Sequence, residues 1–210
     1  RPEPMGSDLF AADLAQFVHQ HPDIELELVL SNSLLSLTRR EADIALRGVE
    51  KPPEHLIGRR FYRYAVSAYA TPEYLRGRDP HDPEQCHWIG WDDATRSPPW
   101  VRETDHAGLL TKHRVDEPRF QHQWARAGVG IAMLPCYLGD VDEKLVRVPP
   151  GRVYYRHPFW LLTHPDLRGI ARIRLVMDAL AECLRRQEAL IRGETTAEFD
   201  AQSLLMSSGG

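Results

Sequence analysis

The 210-residue sequence predicts an α/β protein of two lobes, with a central α/β segment set between the two halves of an outer one. Three observations carry that reading. Amphipathic helical stretches alternate with short apolar runs in the order expected of parallel sheets. Two long strand-like stretches, near residues 62–70 and 154–163, bracket the central segment. A chain that leaves one lobe and returns to it needs two crossovers, and these stretches supply them. The predicted partition is a first lobe of 1–66 plus 158–192, a second lobe of 67–157, and a polar, disordered tail over 193–210.

Taken in order, Phe10, Leu14, Phe17 and Val18 repeat at helical spacing, with Ser7 and Asp8 as caps and Pro22 as a stop, so 8–19 is a helix. Ile24 to Leu30 alternates apolar with acidic residues and then turns fully apolar, which predicts a strand ending deep in a sheet. Ser31, Asn32 and Ser33 open a second short helix through Arg40, and Asp43–Leu46 is a further strand, giving βαβ spacing. Gly58–Ala70 is a long strand, and Thr71-Pro72-Glu73 starts a helix with proline at its first position. The second lobe repeats the theme. Trp88–Trp91 and Lys112–Val115 read as strands, 118–127 as a helix carrying Phe120 and Trp124, and Ile131–Leu134 as a strand closed by Pro135. Tyr154–Thr163 is the returning strand, and Ile170 to Leu184 marks a long amphipathic helix.

Composition excludes several classes. Apolar residues make up 42%, enough to build a core, and no run of 18 apolar residues exists for a membrane span. The N-terminus lacks the basic-then-apolar pattern of an export signal, so the expectation is a cytoplasmic protein with no membrane partner. Cys86, Cys136 and Cys183 are odd in number and far apart, which fits a reducing compartment better than a disulfide framework. The net charge of −4 is interspersed rather than blocked, unlike a surface built to grip nucleic acid. Of the 26 basic residues only Lys51, Lys112 and Lys144 are lysines. That bias reads as genome composition rather than as arginine-specific chemistry.

Catalysis finds little support. His19 and His21 form an H-x-H pair, but at a helix end without further ligands, so no metal is expected. Cys86-His87 are adjacent in sequence, which does not place a base against a thiolate. Asp92-Asp93 reads as a solvated turn or rim, and no G-x-S-x-G, Walker A or G-x-G-x-x-G motif occurs. The expectation is no enzyme and no cofactor.

Binding is better supported, because ligands of open α/β sheets sit beyond the carboxyl ends of strands, where helix N-termini offer free N–H groups. Ser7, the Ser31-Asn32-Ser33 turn, Arg47 at a strand end, Trp91, Asp116 and Gly128 are the candidates. Capping and turn chemistry explains the serines, Asn32 and Gly128 equally well, a surface ion pair explains Arg47, and core filling explains Trp91. The helix starts and Arg47 favour a small carboxylate or other anion. Asp92, Asp93, Asp116 and Glu117 nearby would favour an amine if they face inward.

The layout resembles the type 2 periplasmic-binding-protein fold, two Rossmann-like subdomains joined by two crossover strands. Four segments narrow this to the effector domain of LysR-type transcription regulators. They are Leu14–Phe17 with His21–Leu28, Glu41–Arg47, Tyr69–Leu75, and Ala127–Pro135, in the family's order and spacing. The resemblance spans about residues 5–190. It implies a sensor that holds a small-molecule effector between its lobes. It also implies promoter DNA contacted only by a winged helix-turn-helix domain absent from this sequence, and a homodimer that becomes a tetramer in the full-length protein. The runner-up is a transporter's solute-binding protein of the same fold. The family's domain normally opens with a strand before its first helix. Here only Arg1-Pro-Glu-Pro4 precedes Met5, so the first lobe is expected to lack an edge strand.

Overall fold

The computed structural model describes residues 7–29, 42–91 and 99–194. In chain order the elements are α1 (Ser7–Gln20), β1 (Ile44–Gly48), β2 (Ile57–Ala70), α2 (Pro72–Leu75), β3 (Trp88–Gly90) and α3 (Pro99–Arg102). There follow β4 (Thr111–Arg114), α4 (Pro118–Arg126), β5 (Ile131–Pro135), α5 (Cys136–Gly139), β6 (Val146–Arg147) and β7 (Val153–Thr163). A 3₁₀ turn (Pro165–Leu167), α6 (Ala171–Arg186) and α7 (Glu188–Ile191) complete the chain. Two compact units result: Arg1–Tyr64 with Tyr155–Arg192, and Ala65–Tyr154 with Gly193–Gly210. The chain passes from one to the other within β2 and β7, where the sequence reading put the divisions at 66 and 157.

In the first unit the strand order is β1-β7-β2, and β1 runs antiparallel to β7, with Arg47 opposite Trp160 and Ile44 opposite Thr163. Alternation along these strands makes two faces. Ile44, Leu46 and Leu161 pack on one side with Ile173, Met177 and Ala181 of α6, while Ala45, Leu162 and Trp160 pack on the other with Leu56. Leu161 and Leu162 are the anchors, essentially without exposure. α1 packs on α6, burying Leu9, Phe10 and Phe17.

Two expectations change here. Ile24–Val29 is not a strand, and Leu28 and Val29 are 65% and 64% exposed. An apolar alternation specifies a strand only when a neighbour satisfies its N–H and C=O groups, and no described strand pairs with this segment. The parallel βαβ arrangement read across residues 24–46 is likewise not formed among the described residues, where β1 has β7 as its antiparallel partner. The predicted helix after Ser33, the N-terminal Arg1–Met5 segment and the tail beyond Glu194 lie outside them.

In the second unit β3 runs parallel to both β4 and β5, β5 runs antiparallel to the Val66–Tyr69 half of β2, and β6 pairs with the end of β2. Tyr69, Ile89, Ala132 and Leu134 form the core, with Ala125 of α4. The helix starts follow sequence rules. The Thr71 hydroxyl accepts from the Tyr74 N–H at 3.1 Å with Pro72 in the first turn, and Glu117 accepts from the N–H groups of Arg119 and Phe120 ahead of Pro118. The face that α4 buries is Gln121, His122 and Ala125, whereas Phe120 is 49% exposed.

Candidate functional site

The second unit assembles the ends of β3 and β4. The Val115 N–H donates to the Gly90 carbonyl at 2.9 Å, and the buried Gln121 amide donates to the carbonyls of Val115 at 2.6 Å and Gly90 at 3.3 Å. That clamp brings Trp91 and Asp116 to adjacent strand ends, and Asp116 is exposed there. Trp91, partly buried, lies flat on Trp100, with ring centroids 4.1 Å apart and planes 17° apart. Trp100 meets Trp88 edge-on at 5.2 Å, and its own indole N–H is buried without a hydrogen-bond acceptor. Glu117 is turned back on its helix as a cap, while Asp92 and Asp93 lie outside the described residues.

Gly128 does not join this group. It precedes β5, which is parallel to β3 with Trp88 opposite Ile131, so it sits at the other end of the strands from Trp91. Its φ is +71°, and the Gly128 and Val129 N–H groups close α4 on the carbonyls of Ala125 and Trp124. A left-handed residue closing a helix in this way needs glycine for conformational reasons. Gly128 thus has a helix-closing role apart from Trp91 and Asp116.

In the first unit Arg47 lies near the end of β1, half-buried, and burial lowers its guanidinium pKa from the ordinary value. Its cross-strand partner is Trp160, whose indole N–H is buried and has no acceptor. Ser7 is the first residue of α1, and its side chain lies outside the described residues, as do Ser31, Asn32 and Ser33 altogether. Sequence reasoning missed Trp160, Gln121 and Trp100. Each reaches its position through a pairing between distant segments, for which a local pattern carries no signal.

The nucleophile candidates are disarmed by burial. It raises the Cys86 thiol above its ordinary value, and it pushes Cys136 up to about 11 and Cys183 up to about 12, so none is a thiolate near neutrality. His21 packs its ring on Phe17 at 4.5 Å. Among the described residues no group of three or more His, Cys, Asp or Glu side chains is placed to hold a metal ion, and no helix is long and apolar enough to cross a membrane.

Comparison with known proteins gives the class. The profile of the LysR substrate binding domain matches residues 2–185, and the chain belongs to that family. It is 27% identical over 187 residues to the HTH-type transcriptional regulator PtxR of Pseudomonas aeruginosa, covering 82% of this chain and 59% of that protein. It is also 27% identical over 192 residues to the regulator CrgA of Neisseria meningitidis serogroup C, covering 85% of this chain and 64% of that one. The chain thus spans less than two thirds of the length of these relatives. The solved CrgA regulatory domain superposes with a TM-score of 0.72 at 26% identity, covering 86% of this chain and 94% of that one. The effector domain of AmpR from Pseudomonas aeruginosa superposes at 0.66 with 20% identity, which speaks for the fold alone. The fold is the two-lobed, periplasmic-binding-protein-like one of LysR effector domains. The relatives are named as HTH-type transcriptional regulators, which favours the regulator over the transporter reading.

Proposed function

We propose that this domain senses a small anionic metabolite, a carboxylate by preference, and passes its presence to a DNA-binding part of the same regulator. The observation that carries the reading is the family match over residues 2–185, joined to relatives whose names describe HTH-type transcription regulators. The DNA-contacting part belongs to the share of those relatives that this chain does not span, which fits the acidic net charge of −4 seen here. The cytoplasm is where such a regulator meets promoter DNA.

In the first unit the proposed contacts are Ser7, Ser31, Asn32, Ser33 and Arg47. An always-charged fork in a half-desolvated position suits a carboxylate, and a helix start such as that of α1 adds about 0.3–1 kcal/mol toward an anion. In the second unit they are Trp91, as an apolar wall, and the strand end at Asp116. The use of Glu117 as a helix cap removes one of the four acids that argued for an amine. Calorimetry of a panel of small carboxylates against wild type and Arg47→Ala tests the reading. Binding that weakens by about ten-fold, or about 1.4 kcal/mol, in the variant is expected. If only amines bind, or Arg47→Ala changes nothing, the anion reading fails.

The domain is further proposed to form an isologous homodimer, which becomes a tetramer in the full-length protein, by pairing the first unit of one copy with the second unit of the other. Val18 of α1, Leu175 of α6 and Phe120 of α4 are large apolar side chains left exposed, as expected of a face awaiting a partner. Light scattering of the purified chain should give twice its 24.1 kDa mass. A monomer at tens of micromolar, roughly the range in which a modest interface assembles, would count against it.

A further inference from the structure

The first unit carries a groove of about 380 Å³ lined by Arg59, Arg60, Phe61 and Tyr62 of β2 and by Arg185 of α6. Four consecutive residues of one strand can line a single groove only where it runs along the strand's edge, since alternate side chains point to opposite faces. The pairing supports this. β7 flanks β2 on one side, and on the other β5 and β6 join it only from Val66 onward, so among the described residues no strand covers the second edge of Ile57–Tyr64. Arginine on an exposed strand edge also blunts edge-to-edge association. Edge protection alone, however, does not account for a third guanidinium brought in from a helix or for two aromatic rings in the same lining.

The lining presents three guanidiniums, two of which are met by carboxylates of α6 just outside it. Arg59 pairs with Asp178 at 2.8 Å and Arg185 with Glu182 at 3.1 Å, and all four side chains are about half exposed or more. Such exposed pairs hold weakly, so both guanidiniums can exchange their partner for an incoming anion. Phe61 and Tyr62 stand edge to face with centroids 6.4 Å apart. Planar forks next to fixed rings favour a molecule that is itself flat and anionic. A volume of this size belongs to the small end of metabolite sites.

We infer that the groove on the β2 edge is a second ligand site, taking a small planar organic anion through Arg59, Arg60 and Arg185 with Phe61 and Tyr62 as its apolar floor. It is separate from the Arg47 site, because β7 lies between β1 and β2 in the strand order. Its occupant rests on the strand through which the chain leaves the first unit at Tyr64, which places a second chemical input on a connecting element.

The experiment is titration calorimetry of the full chain with sodium naphthoate, and separately with inorganic phosphate, against wild type, Arg60→Gln, the Arg60→Ala/Arg185→Ala double variant, Arg60→Lys and Arg47→Ala. Naphthoate should bind wild type more tightly than phosphate does, and more weakly as salt is raised. The double variant should lose about ten-fold or more in affinity, Arg60→Gln a smaller part of that, and Arg60→Lys less than Arg60→Gln because it keeps the charge without the fork. In Arg47→Ala the Arg60-dependent naphthoate binding should stay within about two-fold, any loss being confined to a second, Arg60-independent binding event, since additivity holds for separate sites. Absence of naphthoate binding to wild type overturns the proposal, as does unchanged affinity in the double variant or in Arg60→Gln. Loss of binding in Arg47→Ala assigns naphthoate to the other site, and phosphate binding as tightly as naphthoate removes the planar, apolar part of the specificity. Should the double variant fail to fold by circular dichroism, Arg60→Gln and Arg60→Lys carry the test.

Discussion

The two units treat charge in opposite ways. The first keeps its ion pairs on the surface, as in Arg59–Asp178, where the side chains are 49% and 63% exposed. The second also has an exposed pair, Arg152–Asp105, but it buries another. Arg147 grips both carboxylate oxygens of Asp140, at 2.9 and 2.6 Å, and these side chains are only 15% and 7% exposed. The same Asp140 accepts from the Tyr69 hydroxyl at 2.7 Å, while Arg147 donates again to the Gly193 carbonyl at 2.8 Å. Burial opposes the charge on Arg147, yet its hydrogen bonds to Asp140 hold the guanidinium above its ordinary pKa. A second, partly buried set joins His122 to Asp142 at 2.6 Å, with the 35%-exposed Arg126 beside them at 3.0 Å. A surface pair can trade partners at small cost, whereas a buried network is satisfied as a whole or not at all. The first unit is thus suited to meeting changing anions, and the second to holding one arrangement.

Removing a carboxylate from each unit tests that contrast most strongly. Asp140→Ala strands a buried guanidinium and the Tyr69 hydroxyl, and it should cost about 3–5 kcal/mol of stability in urea unfolding. A loss near zero would show that the network is wetter than its geometry. Acidification should act next, and on the second unit. Burial, with the nearby His81 charge adding to it, lowers the pKa of His106, and burial together with Lys112 lowers that of His87. An unfolded histidine takes up its proton near pH 6.5, while these two in the folded chain do so only further down. Between those points the unfolded state binds more protons, so stability rises with pH and is lost as pH falls below about 6.5. Melting curves at about pH 5 and pH 7 should separate, and His106→Asn should narrow the gap; equal melting in wild type would refute the assignment. The smallest effect belongs to the surface pair. Asp178→Ala should change stability by about 0–1 kcal/mol, and a larger loss would mean that the first unit relies on its ion pairs after all.

Legibility in the sequence followed the range of the interactions. The Thr71-Pro72 start caps α2 and the Ile173–Leu184 stripe faces the core from α6, because each depends on neighbours within a few residues, while the β-rich run read over Gly58–Ala70 forms as Ile57–Ala70 because β7 and β5 arrive to pair with it. Ile24–Val29 failed for the complementary reason. Its alternation is sound, but a strand is completed by another strand, and nothing local says whether one arrives. Arg47 was found as a strand-end cation, whereas Trp160 became visible only through the register of β1 against β7. Gly128 was noticed for its residue type, which does not say whether its left-handed φ serves helix closure or ligand approach.

The stack of Trp91 on Trp100, with Trp88 edge-on behind, has an optical consequence. Indoles 4.1 Å apart and nearly parallel share their excited states, so this unit carries a built-in chromophore whose near-ultraviolet circular dichroism depends on the distance and tilt of the outermost ring. Any event that lifts or rotates Trp91 changes that signal without an added dye. Were the proposed ligand to contact Trp91, its binding would be followed by the domain's own absorption bands, even if the ligand is colourless.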